Sequence, residues 1–433
     1  MPKGHPTANG PAGPGALLRV GAWVLYDLAN TIYAATLTFL FTPFAKDAMG
    51  GTLKGVGLVQ FGSMVLAGIL VPALGALADQ TARTGGYLAV VTLLCVASTA
   101  SFGADIGGAF LLASFFVANV TYNLGLLFYN SLLPAVATED RAGRVSGIGV
   151  GVGYLGTIAV LGALKPLAVT EATRFLLAAV SFLLLALPCL LFVRDPRPPR
   201  PGSSFGAMRA ALGSVGGTLR QLPRHRALLW FLLGNFCLVD VLNTAILFFA
   251  DFTTEVFRTA AAAGAVSLAG HVFTGDDGLT SLLIVMGLCL NGLALPFGIL
   301  LGPWTDRSPL QVLRASAVAL LLALVGGTLF GGTSALGYLL TLVVLGAFGL
   351  AGVWTAGRKM VVLLAPPESI GQYFGLYGIT VKLSVVGSVV YGFVADSCGC
   401  KPAMLAQSAQ LLIGLGCLAM VRMPGPDQRP PRA

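Results

Sequence analysis

Gly75-Ala76-Leu77-Ala78-Asp79 closes one apolar run of the chain, and Gly302-Pro303-Trp304-Thr305-Asp306-Arg307 closes another 227 positions later. The spacing persists downstream, where Asp140, Ser146 and Gly147 stand against Glu368, Phe374 and Gly375 at an offset of 228. Upstream, Asp27-Leu28-Ala29-Asn30-Thr31 matches Asp240-Val241-Leu242-Asn243-Thr244, both D-x-x-N-T, at an offset of 213. Three landmarks in the same order mark a duplicated chain. The shorter first offset requires an insertion in the second copy, which residues 251–278 supply.

The duplicated unit is a set of membrane spans. Of 433 residues 56% are hydrophobic and only 10% charged, with a mean hydropathy of +0.85, so the surface must face lipid. A span needs about 20 predominantly apolar residues. Such runs fall near 20–44, 55–77, 85–104, 108–133, 145–166 and 174–193, and again near 228–250, 279–302, 313–332, 336–357, 372–395 and 402–421. They are continuous, not alternating, which excludes a β-barrel. The fold expected is an all-α membrane protein of twelve helices in two six-helix bundles. Residues 1–193 form the first, 228–433 the second with its tail, and the Pro- and Arg-rich 194–227 joins them as a flexible connector.

Basic residues set the orientation, because Lys and Arg beside short loops stay cytoplasmic. Most of the 26 fall on the side of the termini, Arg194, Arg197, Arg307, Arg358 and Lys359 among them. Both termini are therefore expected in the cytoplasm, in the cell inner membrane. The same asymmetry accounts for the +9 net charge and removes support for a nucleic-acid partner. The segment before the first run is polar and Pro/Gly-rich, and the run is longer than a signal h-region, so the first helix is expected to be retained. Cys398 and Cys400 flank an outer turn, where pairing residues two apart would be strained.

Several motifs sharpen this reading. They are Tyr26-Asp27-Leu28-Ala29-Asn30-Thr31, Phe128-Tyr129-Asn130-Ser131-Leu132-Leu133-Pro134, Arg144-Val145-Ser146-Gly147, and Phe374-Gly375-Leu376-Tyr377 with Lys382. Six plus six helices with an inner connector is similar to the major facilitator plan, and the G-x-x-x-D turns resemble that family's loop after the second helix. The motifs together resemble the branch containing the yeast autophagy-related vacuolar amino-acid effluxers and their bacterial relatives. The resemblance implies a secondary active transporter of small polar solutes, amino acids among them, working by alternating access and with protons as a coupling partner. Receptors or scaffolds on the same fold, and carriers of sugars or drugs, are the alternatives.

An ionised side chain inside a span is costly unless paired or hydrated, so it marks function by default. Asp27, Asp240 and Lys382 lie inside the spans as drawn, roughly 10, 18 and 15 Å into a core about 30 Å thick at 1.5 Å per residue. They are expected to form one unit. An acid would bind an amine or a proton, Lys382 would bind a carboxylate, and Asn30, Thr31, Asn243 and Thr244 would complete the hydrogen bonds. Tyr26 shares a helix face with Tyr33. Asn119, Tyr122, Asn123 and Asn130 recur at near-helical spacing and could line a cavity wall, although interhelical bracing explains such residues equally well. At the gates, Gly75 and Gly302 allow close approach, while Asp79 with Arg83, and Asp306 with Arg307, would latch a facing helix N-terminus. Gly151-Val152-Gly153-Tyr154-Leu155-Gly156 spells a dinucleotide pattern but lies in a span without βαβ context, so its small residues read as close packing of the fifth and eighth helices. His5, His225 and His271 are scattered and offer no metal constellation, and no catalytic set or P-loop is present. No cofactor, no enzymatic activity and a monomer are expected, with lipid and a small solute as partners.

Overall fold

Twelve helices among the described residues are long and apolar enough to cross a membrane. They are α1 (Gly15–Ala48), α2 (Gly55–Thr81), α3 (Thr84–Gly103), α4 (Gly108–Ser131), α5 (Glu139–Leu164), α6 (Glu171–Phe192), α7 (Arg226–Leu247), α8 (Gly275–Arg307), α9 (Pro309–Phe330), α10 (Ala335–Leu364), α11 (Pro367–Cys398) and α12 (Cys400–Ala419). The computed structural model describes residues 14–50, 54–197, 225–384 and 386–423, with 213, 215–217, 220 and 222–223 between. Both tails and most of the expected connector, 198–212, lie outside the described residues. The insertion in the second copy is a helix, Phe249–Ala262, followed by a two-stranded antiparallel hairpin, β1 (Val266–Leu268) with β2 (His271–Phe273). Cys398 and Cys400 are both free thiols.

Local chemistry sets the helix ends. Thr170 caps α6 by accepting from the Thr173 amide at 3.3 Å, and Ser334 caps α10 by accepting from the Gly337 amide at 3.0 Å. Pro309 opens α9, where a missing N–H costs nothing. Pro72, Pro188, Pro296 and Pro303 lie inside helices, as membrane helices allow.

Glycine decides how the helices meet, because without a hydrophobic driving force between helices in lipid, close van der Waals contact needs small residues. On α5, Gly149, Gly153 and Gly156 face α1. A Cβ on Gly156 would lie 2.8 Å from the Ile32 nitrogen. Gly147 and Gly151 face α8, where added Cβ atoms would lie 2.3 Å from the Gly298 oxygen and 2.6 Å from the Leu295 oxygen. The glycine pattern at 151–156 thus serves two interfaces, one more than expected. The second contact between the halves is α2 against α11, with a Cβ on Gly75 placed 2.3 Å from the Gly371 oxygen. Gly375 meets Pro72 in the same way, its Cβ 2.7 Å from the Pro72 Cα. Both contacts fall on the half of each helix nearer the described chain ends, so the halves are closed toward that face.

One boundary differs in a way that matters. α10 does not end at 357 but runs to Leu364, and it buries Arg358 and Lys359 at 7% and 1% exposure. A basic pair reads as a loop flank, yet the stop signal is Pro366-Pro367, several residues on.

The glycine contacts make a prediction. Gly147→Val overpacks the α5–α8 crossing at a cost of about 1–3 kcal/mol and should hold the halves apart on the terminal face. Spin labels on the exposed Arg141 and Arg307 should then show a longer distance than in the parent, with the variant still inserted in the membrane. An unchanged distance would mean that this crossing does not set the closure.

Candidate functional site

A cavity of ≈ 240 Å³ lies between the halves. Asp27, Asn30, Thr31, Tyr122, Asn123 and Asn130 line it from the first half, and Trp354, Arg358, Phe374, Tyr377 and Lys382 from the second. Helical spacing explains the grouping: Asp27, Asn30 and Thr31 fall on one face of α1, as do Asn123 and Asn130 on α4 and Trp354 and Arg358 on α10.

Across it runs a forked ion pair. Arg358 Nη1 donates to Asp27 Oδ2 at 2.7 Å and Nη2 to Oδ1 at 3.0 Å. The guanidinium also lies 5.5 Å from the ring centroids of Trp23 and of Tyr129, which stack on each other at 4.4 Å. Bidentate geometry and aromatic faces are what a weakly hydrated planar cation needs to be tolerated out of water. Asp27 therefore has Arg358 as its partner and not Lys382.

Lys382 stays in the cavity wall, 7% exposed. Among the described residues its ammonium has no hydrogen bond and no ion pair. Asn30 Nδ2, Asn130 Oδ1 and the Tyr377 hydroxyl, on residues that line the same cavity, are also without partners. With one carboxylate and two cations, the cavity carries an excess of one positive charge.

The remaining expected residues sit elsewhere. Asp240, Asn243 and Thr244 do not reach the cavity and lie against a break in α11, because the D-x-x-N-T of α7 faces α11 and α12 within its own half. Tyr26 is packed in the first half, its hydroxyl 2.6 Å from the Thr92 hydroxyl and its ring stacked on Tyr129. Asn119 braces α4 on α2, donating to the Ser63 hydroxyl at 2.6 Å.

At the terminal face two carboxylates cross between the halves. Asp79, at the end of α2, accepts from the Gly371 and Gln372 amides at 2.9 and 2.8 Å, at the start of α11. Asp306, at the end of α8, accepts from the Gly143 and Arg144 amides at 2.6 and 3.2 Å, at the start of α5. Each carboxylate thus satisfies orphan amides of a helix in the other half. Their cationic partners are not the expected ones. Asp79 is bound by Arg197 Nη1 at 2.8 Å, and Asp306 lies 3.6 Å from Lys359 Nζ and 3.3 Å from Arg144 Nε. Arg83 and Arg307 are exposed: Arg83 lies beyond the end of α2, after Ala82 at φ 50, and Arg307, adjacent to Asp306, points to another face of α8. Asp195 holds Arg197 in place with Oδ1 and Oδ2, and it accepts from the Thr84 hydroxyl at 2.7 Å. Burial alone would push the Asp195 carboxyl up, but its bonds from Arg197 and Thr84 outweigh that and hold it below the usual carboxylate range.

Two helical halves thus enclose a polar cavity and meet at one face, and comparison identifies the family. The Major Facilitator Superfamily model matches residues 23–383, so the chain belongs to that superfamily of membrane transporters. It is 25% identical to an uncharacterized MFS-type transporter, YxiO, of Bacillus subtilis (strain 168), covering 92% of this chain and 94% of that protein. It is 26% identical to an uncharacterized protein of Aquifex aeolicus (strain VF5), covering 84% and 85%. Among solved structures, the human organic anion transporter MFSD10 (TETRAN) superposes with a TM-score of 0.69 at 15% identity, covering 94% of this chain and all (100%) of that one. The transporter FucP in the outward conformation superposes at 0.65 and 15%, covering 94% and 98%. These likenesses define the fold.

Asp27 and Arg358 should be coupled in stability. Removing one partner strands a buried charge at a cost of about 3–5 kcal/mol, whereas removing both can be close to neutral. Arg358→Gln alone should therefore lower the melting temperature in detergent more than Asp27→Asn with Arg358→Gln together. Additive losses across the double-mutant cycle would show that the two side chains do not interact energetically.

Proposed function

We propose that this chain is a secondary active transporter that carries a small polar solute bearing a carboxylate, amino acids being the leading class, by alternating access. The observation that carries this reading is the partnerless Lys382 ammonium in the wall of a cavity between two halves. A buried cation is tolerated when something else supplies its counter-charge, and a solute carboxylate would do so. The unpaired Asn130 Oδ1 would accept from an amino-acid ammonium, and Asn30 Nδ2 and the Tyr377 hydroxyl supply further hydrogen bonds. The motif resemblance to vacuolar amino-acid effluxers supports the same class.

Residues 1–193 and 228–433 are the two halves that rock about the cavity, tethered by 194–227. Asp79 with Arg197, and Asp306 with Lys359, latch the terminal face shut, which is the cytoplasmic face in this reading, so the cavity is reached from the other side. Asp27 is the group through which a proton would couple. Protonated, it no longer holds Arg358, and the bridge between the halves weakens. The protein works as a monomer in the cell inner membrane, with both termini in the cytoplasm.

Two measurements check this. Reporters fused after Arg220 and at the C-terminus should read cytoplasmic and one at Thr274 external; a cytoplasmic signal at Thr274 would reverse the orientation. In proteoliposomes offered a mixture of amino acids, simple carboxylates and sugars, uptake should favour carboxylate-bearing solutes. Lys382→Gln should reduce that uptake at least about tenfold, the equivalent of 1.4 kcal/mol. Preferred uptake of a neutral sugar, unaffected by Lys382→Gln, would sink the substrate class.

A further inference from the structure

α11 is not one helix. Its first part ends at Leu383 and its second starts at Val386, with Ser384 between them at φ −73 and ψ 68. Packed against this break are Asp240, Asn243 and Thr244 of α7 and Gln407 and Gln410 of α12. Asp240 is fully buried, at 0% exposure. Its Oδ2 accepts from the Gly387 amide at 2.8 Å and from Gln410 Nε2 at 2.5 Å. These donors satisfy one carboxylate oxygen.

Capping of the second part of α11 accounts for Oδ2 and for nothing else at the break. Asp240 Oδ1, the Thr244 hydroxyl and Gln407 Oε1 are all buried and have no hydrogen-bond partner. Thr244 and Gln407 are each 1% exposed. They converge with the carboxylate. Measured from the point where a Cβ on Gly387 would sit, the Thr244 hydroxyl lies at 2.6 Å, Gln407 Oε1 at 2.7 Å and Asp240 Oδ2 at 3.2 Å. Glutamine turns its oxygen there because its Nε2 is held by the Gly387 carbonyl at 3.0 Å. Among the described residues no Lys, Arg or His lies within ion-pairing distance of Asp240.

We propose that the break in α11 is a sodium-ion site, formed by Asp240, Thr244 and Gln407 beside Gly387. One carboxylate and neutral oxygens, with no nitrogen or sulfur, select a hard cation, and a single negative charge selects a monovalent one. A proton on Asp240 would leave Thr244 and Gln407 unmet, whereas a cation beside Gly387 would sit against both. Interrupted membrane helices serve such ions because unwound backbone and half-helix ends offer polar groups at membrane depth. The site is separate from the solute cavity but shares α11 with it, since Ser384 at the break lies two residues after Lys382. An ion ordering the break would therefore also order the lysine.

The test needs no solute. Purified protein in nanodiscs at pH 8.5 is titrated with sodium chloride, potassium chloride or choline chloride at constant ionic strength, and both the melting temperature and the binding of radioactive sodium are followed. The parent should show a saturable, sodium-selective rise and stoichiometric sodium binding. Asp240→Asn should abolish both, and Thr244→Val, which keeps the shape and removes the hydroxyl, should weaken the apparent affinity about tenfold. Lys382→Gln should leave sodium binding intact, which separates this site from the solute reading. Equal responses to the three salts in the parent would overturn the assignment, as would sodium binding that survives in Asp240→Asn.

Discussion

The bidentate pair between Asp27 and Arg358 is the constraint around which the rest of the molecule is arranged. It joins the two halves at the cavity, and an unpaired charge in that position would be costly. Its surroundings follow from its chemistry. Trp23 and Tyr129 stack to offer their faces to the guanidinium, and Gly149 on α5 stays bare because a Cβ there would lie 3.0 Å from Asp27 Oδ2 and 2.8 Å from the Trp23 ring. Once Asp27 is committed to Arg358, Lys382 is left as the cation of the cavity without a partner among the described residues.

The two terminal latches obey the same economy of partners. A carboxylate at the end of α2 or α8 reaches orphan amides at the start of a helix in the opposite half, and a buried or half-buried cation completes each. Such contacts are directional and easily exchanged for water, unlike a broad apolar interface. The glycine crossings between α5 and α8 and between α2 and α11 let backbones come close enough for these short polar contacts to form. Closure at this face therefore rests on a few directional polar contacts between closely packed backbones.

Internal duplication did not produce equal sites. The two D-x-x-N-T motifs share their Asp, Asn and Thr, yet Asp27 faces across the molecule to Arg358 while Asp240 faces within its own half toward α11 and α12. The difference lies in the partner helices. α10 supplies a guanidinium at the level of Asp27, whereas at the level of Asp240 α11 unwinds and offers a backbone amide instead.

The amino-acid order by itself determined the class of fold and the placement of its spans, because continuous apolar length and repeat spacing are local properties and lipid admits few alternatives. It also marked Asp27, Asn30, Thr31, Tyr122, Asn123, Asn130 and Lys382, which the structure brings to one cavity, since polar residues in an apolar run stand out whatever they touch. Partners were another matter. Arg358 was hidden by its neighbour Lys359, because two adjacent basic residues look like a loop flank, and only the packing of α10 shows both of them buried. Arg197 lies 118 positions from Asp79, and Arg358 331 from Asp27, so no spacing rule could have joined them. The break in α11 was equally invisible, since nothing in Leu383-Ser384 requires it. Which charges pair, and which is left free, is settled by helices meeting across the bundle, and that is a property of the tertiary structure alone.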